Sequence, residues 1–366
     1  MSVRFPEVNT PATLVDRQRL QRNIDAMAEY ARAHELRLRP HAKTHKIVEI
    51  TRIQLQAGAV GLSVATLGEA KVFVESGVED IFVAYPVWAS QEQAAELLRL
   101  ANKARLSIGA DSVEAIHNLA QRIPEQRERI GILIEVNSGH NRSGRMPPDV
   151  VPVAQAVVDA GFSFRGVFTF PGHSYGPDQA KPAVSDEEQA LASAKEALVA
   201  AGIPTEVLSG GSSPTATLMH GGVVTEMRPG VYVFGDAQQL ELDRIGWDDI
   251  ALTILTTVVS RDDGSSGSTR RIVVDAGSKV MGGDRPAWTT GFGRVMGEPD
   301  ARITALSEHH GTIIWPEEQD LPEIGSRLQV IPNHVCVAVN LVDYLYVTDG
   351  NEPLEKWQVA ARGLNC

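Results

Sequence analysis

Arg39-Pro40-His41-Ala42-Lys43-Thr44-His45-Lys46 is the stretch on which the reading of this chain turns. It follows an apolar-periodic segment from Leu20 to Leu36, and Glu35-Leu36-Arg37-Leu38-Arg39 alternates as a short strand does. Pro40 disfavours helix for the residue before it, so Lys43 stands where a strand ends and a connection begins. In a repeating β/α architecture that end of the strand is where chemistry is done. His41, His45 and Lys46 place like charges around Lys43, which favours the free amine that a Schiff-base nucleophile requires. Taken alone, the octapeptide reads more readily as a basic surface loop. The rest of the chain reverses that preference.

Working outward, a rhythm of helical pattern, short apolar strand and turn runs from Arg17 to about residue 240. Helical segments are expected over Arg17–His34, Ile47–Ala57, Leu67–Ser76, Gln91–Ala104, Ser112–Arg122, Pro148–Ala160 and Asp186–Ala201. Strands are expected at Val60–Val64, Asp80–Tyr85, Leu106–Ala110, Arg129–Val136, Phe164–Phe170 and Thr205–Ser209. That alternation implies parallel βαβ units, and its length suits a closed (β/α)8 TIM-type barrel better than an open sheet. Beyond it the texture changes. Ile250–Ser260, Arg271–Asp275, Leu328–Ile331 and Tyr344–Val347 are short β-rich runs with little helix between them. We therefore expect an α/β barrel over residues 1–245 and an all-β domain over 246–366, with residues 1–12 pairing with the latter.

The 366 residues, 22% charged and 43% hydrophobic, are enough for a large core without staples. A net charge of −12 gives no electrostatic case for nucleic acid or an anionic membrane surface. Cys336 and Cys366 are too few for a disulfide framework, and the N-terminal residues lack a signal-peptide apolar region. A cytoplasmic protein is expected.

Several strand ends carry chemistry. Ser209-Gly210-Gly211-Ser212-Ser213-Pro214-Thr215 follows an apolar strand, and its glycines and hydroxyls suit a phosphate or a tight turn equally. Arg228-Pro229-Gly230-Val231-Tyr232 adds a second glycine and a phenol in the next connection, where barrels commonly bind phosphate. In Asn137-Ser138-Gly139-His140-Asn141-Arg142-Ser143-Gly144, Arg142 offers a planar fork for a phenolate or carboxylate. Phe170-Pro171-Gly172-His173-Ser174-Tyr175-Gly176 supplies His173 as a candidate acid/base and Tyr175 as a hydrogen-bond donor. Late in the chain, Pro332-Asn333-His334-Val335-Cys336 reads as a strand whose His334 and Cys336 share a face, so both can bind one cation. The plainer reading of that pair is an interior strand with a buried thiol.

Together these stretches resemble the D-threonine aldolase / D-serine dehydratase family of fold-type III, alanine-racemase-like pyridoxal-phosphate enzymes. Thr10-Pro11 and Asp275-Ala276-Gly277 extend the resemblance over nearly the whole chain. It implies that Lys43 is the cofactor lysine and that Arg142 faces the cofactor's phenolate oxygen. It also implies that Gly210, Gly211, Ser212, Gly230 and Tyr232 surround the phosphate, and that His334 and Cys336 bind a divalent metal (Zn, Mn or Mg). A homodimer with its active site where the two domains meet is implied too. One departure stands out: Phe170 occupies a place where family members often carry tyrosine, so no phenol role transfers there, and His173 or Tyr175 is left to cover it.

The expected activity is a lyase on β-hydroxy-D-amino acids, first a D-threonine aldolase giving glycine and an aldehyde. The alternative is a dehydratase of the D-serine or D-threo-3-hydroxyaspartate type, giving a keto acid and ammonia. The His-x-Cys pair resembles the dehydratases more, and the chain length and short N-terminus resemble the aldolases. A non-catalytic cofactor-binding module with the same barrel would lack the attached β domain, and a metal-free racemase would leave His334 and Cys336 without a role.

Overall fold

The computed structural model describes residues 5, 7–350 and 352–366, with the side chains of residues 352–354 excepted. Residues 1–4 and 6, part of the segment expected to pair with the β domain, lie outside the described residues. The chain divides into two compact units, each drawn from separated segments. One comprises Ala26–Lys43, Ile50–Gly230 and Leu364–Cys366. The other comprises the described residues up to Asp25, Thr44–Glu49 and Val231–Gly363.

The first unit is the expected barrel. Its strands are β2 (Arg37–Leu38), β3 (Leu62–Val64), β4 (Asp80–Pro86), β5 (Arg105–Ala110), β6 (Ile130–Glu135), β7 (Ser163–Phe168), β8 (Val207–Gly210) and β9 (Glu226–Met227). They form one eight-stranded sheet in the order β2-β9-β8-β7-β6-β5-β4-β3, every neighbour parallel. A parallel bridge between His41 and Ser63, with Ser63 N donating to Pro40 O at 2.9 Å, joins the two ends of the sheet. The barrel is closed.

Helices α2 (Val48–Gln56), α3 (Leu67–Glu75), α4 (Gln91–Ala101), α5 (Val113–Arg122), α6 (Val150–Asp159) and α7 (Ala180–Ala200) fall between the strands. Ser90 caps α4 with a complete capping box to Gln93, which is why that helix starts where the sequence signals it. Helix α7 begins six residues ahead of its expected start at Asp186. Pro182 marks its first turn, where a missing N–H breaks no helical bond.

Side chains of alternate strand residues fill the barrel. Phe82, Leu133, Phe168 and Val207 make one buried cluster, with the Phe82 and Phe168 rings edge-on at 5.0 Å. Gly166 on β7 has φ +140, and a Cβ there would stand 2.1 Å from Val207 O. Only glycine lets β7 come this close to β8.

Buried charge threads the same interior. Arg39 donates to Glu226 at 2.9 Å and to Asp80 at 2.7 Å, and Glu226 accepts from Ser209 Oγ at 2.7 Å. Arg228 Nη1 donates to Ser209 Oγ at 2.5 Å and its Nη2 to Thr169 O at 2.5 Å. Arg39 and Glu226 answer each other's desolvation, so removing either costs about 3–5 kcal/mol.

The second unit is a nine-stranded sheet that takes in β1 (Ala12–Asp16) with β10 (Leu252–Asp262), β11 (Arg271–Val274), β12 (Gly293–Val295), β13 (Glu298–Leu306), β14 (Gly311–Ile314), β15 (Arg327–Pro332), β16 (Tyr344–Asp349) and β17 (Glu352–Gln358). The apolar lead-in strand β1 lies between β10, to which it is antiparallel, and β16, to which it is parallel. Thr10 Oγ1 donates to Asp275 Oδ2 at 2.6 Å, and Thr256 Oγ1 to the other carboxylate oxygen at 2.6 Å. These bonds give Thr10 and Asp275 structural work in one sheet. Short helices α8 (Ala237–Glu241), α9 (Ser278–Met281) and α10 (Val335–Asn340) complete the unit. Among the described residues no helix is long and apolar enough to cross a membrane.

Candidate active site

In the barrel unit the expected residues gather at the C-terminal ends of the strands. Lys43 closes β2's connection in a single turn, Ala42–Thr44, and its Nζ lies 5.6 Å from the centre of the Phe170 ring. The Arg142 guanidinium lies over the same ring at 5.2 Å. Phe170 also meets His140 edge-on at 5.6 Å and Tyr175 at 6.3 Å. The residue set aside for lacking a phenol is the hub on which two cations, a histidine and a tyrosine converge. Phe170 stands two residues beyond the end of β7, in the connection that carries His173.

The loop after β6 is built to present Arg142. Asn137 Oδ1 accepts from Gly139 N at 3.0 Å and Asn141 N at 3.2 Å, and Asn141 takes a left-handed φ of +57 that asparagine tolerates. Arg142 Nη2 then stands 3.6 Å from Glu135 Oε1, while Ser143 Oγ donates to Glu135 Oε2 at 2.7 Å. Burial holds the Glu135 carboxyl above its usual range, with Ser143 and Arg142 partly opposing the shift.

His173 lies in the turn Gly172–Ser174, its Nε2 3.2 Å from Asp186 Oδ2 on α7. Its buried Nδ1 has no hydrogen-bond partner among the described residues. The Asp186 carboxylate on Nε2 fixes the orientation of the ring. Burial, followed by Arg142 and His173, pushes the neighbouring His140 imidazolium down.

After β8, Gly211 has φ +82, and its N–H donates to Glu187 Oε1 at 2.7 Å. Ser212 Oγ lies 3.0 Å from Ser174 Oγ and 3.1 Å from Thr215 Oγ1, so three hydroxyls gather at one strand end. Glu187 is fully buried, its Oε2 is unpartnered among the described residues, and burial raises its carboxyl to about 7. The sequence reading passed over Glu187 because it sits mid-helix, far from any glycine-rich motif. Gly230 ends the barrel unit's share of the Arg-Pro-Gly-Val-Tyr connection, after His41 N donates to Pro229 O at 3.0 Å.

In the β unit Tyr232 is buried in the turn Val231–Val233. His334 and Cys336 are not on a strand, as expected from their spacing: β15 stops at Pro332, His334 caps α10, and Cys336 lies within that helix. The cause is local anchoring. Asn333 Nδ2 donates to Asp284 O at 3.0 Å and Gly291 O at 2.7 Å, and Asp236 Oδ2 accepts from Val335 N at 3.2 Å, turning the chain into a helix. The same Asp236 oxygen lies 3.4 Å from His334 Nδ1, and Cys336 Sγ donates to Thr44 Oγ1 at 3.2 Å. Burial lowers the His334 pKa, but Cys336 and Asp236 outweigh it and leave it well above the usual value. Asp236 was not foreseen. No group of three or more His, Cys, Asp or Glu gathers closely enough to hold an ion among the described residues.

Residues 15–238 match the model of the alanine racemase N-terminal domain, and residues 251–348 match a putative serine dehydratase domain. The chain is 34% identical over 354 residues to D-threo-3-hydroxyaspartate dehydratase of Delftia sp., covering 90% of this chain and 91% of the relative. The solved structure of that enzyme superimposes with a TM-score of 0.87 over 96% of this chain and 97% of that one. Histidine-to-alanine and cysteine-to-alanine variants of it, two positions apart, have also been solved, the latter in a metal-free form. D-threonine aldolase of an Arthrobacter species is 30% identical over 366 residues, covering 98% of this chain and 94% of the relative. The D-threonine aldolase structure from Filomicrobium marinum matches with a TM-score of 0.85 and 29% identity, over 100% of this chain and 98% of that one.

Proposed function

Because this chain belongs to the alanine-racemase-like family that includes D-threonine aldolase and D-threo-3-hydroxyaspartate dehydratase, we propose that it is a pyridoxal 5'-phosphate-dependent lyase on small β-hydroxy-D-amino acids. The observation that carries the reading is the meeting of Lys43 and Arg142, from two different strand ends, on the ring of Phe170. An amine to bind an aldehyde, a guanidinium to face a phenolate, and a loop of glycines and hydroxyls after β8 fit the parts of this cofactor. Lys43 would hold it covalently, Arg142 and Tyr175 would flank its ring, and Gly210, Gly211, Ser212, Gly230 and Tyr232 would surround its phosphate. When bound, the cofactor supplies a sink for the electron pair released at the substrate Cα. His334 and Cys336 would hold a divalent metal that polarises the β-hydroxyl, with Asp236 orienting the imidazole.

The finer assignment is Cα–Cβ cleavage, as in D-threonine aldolase. His173, oriented by Asp186, takes the hydroxyl proton, and the hydroxyl-bearing fragment leaves as an aldehyde. A second reading, elimination to a keto acid and ammonia, is favoured by one specific feature. The His334–Cys336 pair has the spacing of the histidine and cysteine changed in the dehydratase variants, the cysteine change accompanying a metal-free form. Here the Lys43 amine removes the Cα proton while the hydroxyl departs.

Product analysis with D-threonine, with and without a chelator, separates the two. Glycine plus acetaldehyde, lost on chelation, is the expected result; 2-oxobutanoate plus ammonia selects elimination. Lys43→Ala should abolish turnover and remove the visible absorbance of lysine-bound cofactor. Retention of that band in the purified variant would overturn the central assignment.

A further inference from the structure

At the end of the barrel opposite Lys43, the first residues of the strands enclose a cavity of about 210 Å³. Its wall carries the guanidinium groups of Arg37, Arg39, Arg105 and Arg165 and the carboxylates of Asp80 and Glu226. Four cations against two anions leave a local excess of positive charge in a chain whose net charge is −12.

The two carboxylates are already committed to Arg39, at 2.7 and 2.9 Å. What remains is poorly neutralised. Arg105 Nε reaches Asp80 Oδ2 only at 3.9 Å, Arg165 Nη1 reaches Glu206 Oε2 only at 3.9 Å, and Arg37 Nη2 donates to Thr225 Oγ1 at 3.5 Å. Arg165 Nε is buried and has no hydrogen-bond partner among the described residues. A buried guanidinium N–H left unmade is costly, and surface solvation does not answer it.

We propose that this cavity binds a small doubly charged oxyanion, held by the forks of Arg37, Arg105 and Arg165. Guanidinium groups bind phosphate and carboxylate oxygens through paired, charge-assisted bonds, and the Arg105 side chain, 53% exposed, is within reach of an ion entering from solvent. Inorganic phosphate and a short dicarboxylate share that chemistry. The site stands apart from the proposed lyase chemistry and does not depend on it.

The test is calorimetric titration of the cofactor-loaded enzyme at low ionic strength with inorganic phosphate and, separately, with malonate. The same titrations are run on the double variant Arg105→Gln, Arg165→Gln. At least one ion should bind the wild type with a Kd of about 1 mM or tighter, and the variant should lose about tenfold or more. The visible spectrum should not change. Tighter binding of phosphate identifies a tetrahedral oxyanion, and tighter binding of malonate a dicarboxylate. No saturable binding to the wild type, or equal binding to the variant, overturns the proposal. Should the variant fail to fold, selenate-soaked crystals of the wild type decide: an anomalous peak among the four arginines supports the site, and peaks only elsewhere refute it.

Discussion

Glu187 sits directly under Gly210 and Gly211, and a Cβ on Gly210 would meet its Oε1 at 2.4 Å. A single carboxyl thus anchors the loop through Gly211 N and fills the space a Cβ on Gly210 would need, so a larger residue there would displace it. Burial, opposed by the Gly211 bond and Arg228, raises its pKa from 4.5 to about 7. Glu188, its neighbour on α7, adds to the rise. The sign follows from linkage. A carboxyl whose folded pKa is raised stabilises the fold fully below the unfolded value, and that contribution is lost as pH rises through about 7. The interval between 4.5 and about 7 corresponds to about 3 kcal/mol. Glu187→Gln keeps the acceptor for Gly211 and removes the charge, so its urea midpoint should vary much less between pH 5 and pH 8 than that of the wild type. An unchanged pH slope in the variant would show that Glu187 is not the titrating group.

At the level of elements, the barrel depends on how closely β7 approaches β8. The ladder between β6 and β7 shifts register after Ile132, and Gly166 lies in that irregular stretch with its backbone against Val207. Gly166→Ala would place a methyl 2.1 Å from Val207 O, with φ at +140. The expected cost is about 2–3 kcal/mol, visible as a lower denaturant midpoint with little change in slope. A neutral result would mean that β7 moves freely, which the bonds from Arg228 to Thr169 O and Ser209 Oγ argue against. The short strands β2 and β9 have the same logic in reverse. Each is ended by an X-Pro step, Arg39-Pro40 and Arg228-Pro229, and Arg39 and Arg228 bring their charges into the interior at those ends.

For the molecule as a whole, the path of the chain matters more than any single contact. Neither unit is continuous in sequence, and the β unit needs residues from both ends of the chain. β1 lies between β10 and β16 inside the nine-stranded sheet, so it is an interior strand and not a decoration of the N-terminus. Removing residues 1–16 should leave two open strand edges and give an insoluble or aggregating protein. Size-exclusion chromatography of that truncation checks it; a soluble protein with unchanged circular dichroism would mean that β10 and β16 can close the gap by themselves.

The alternation of helix and strand determined the barrel, because each βα unit writes its periodicity within a few tens of residues. The strand-end motifs located Lys43, Arg142, His173 and the glycine loop for the same reason: position after a strand is a local property. Tertiary structure alone decided the rest. That Lys43 and Arg142 share the Phe170 ring depends on the register of strands far apart in sequence. That His334 and Cys336 ride a capped helix depends on Asp236, 99 residues before Val335. Glu187 acquires its raised pKa only when α7 is packed against the loop after β8. Burial and charge pairing act through space, and a linear pattern carries them only where the partners are also neighbours in the chain.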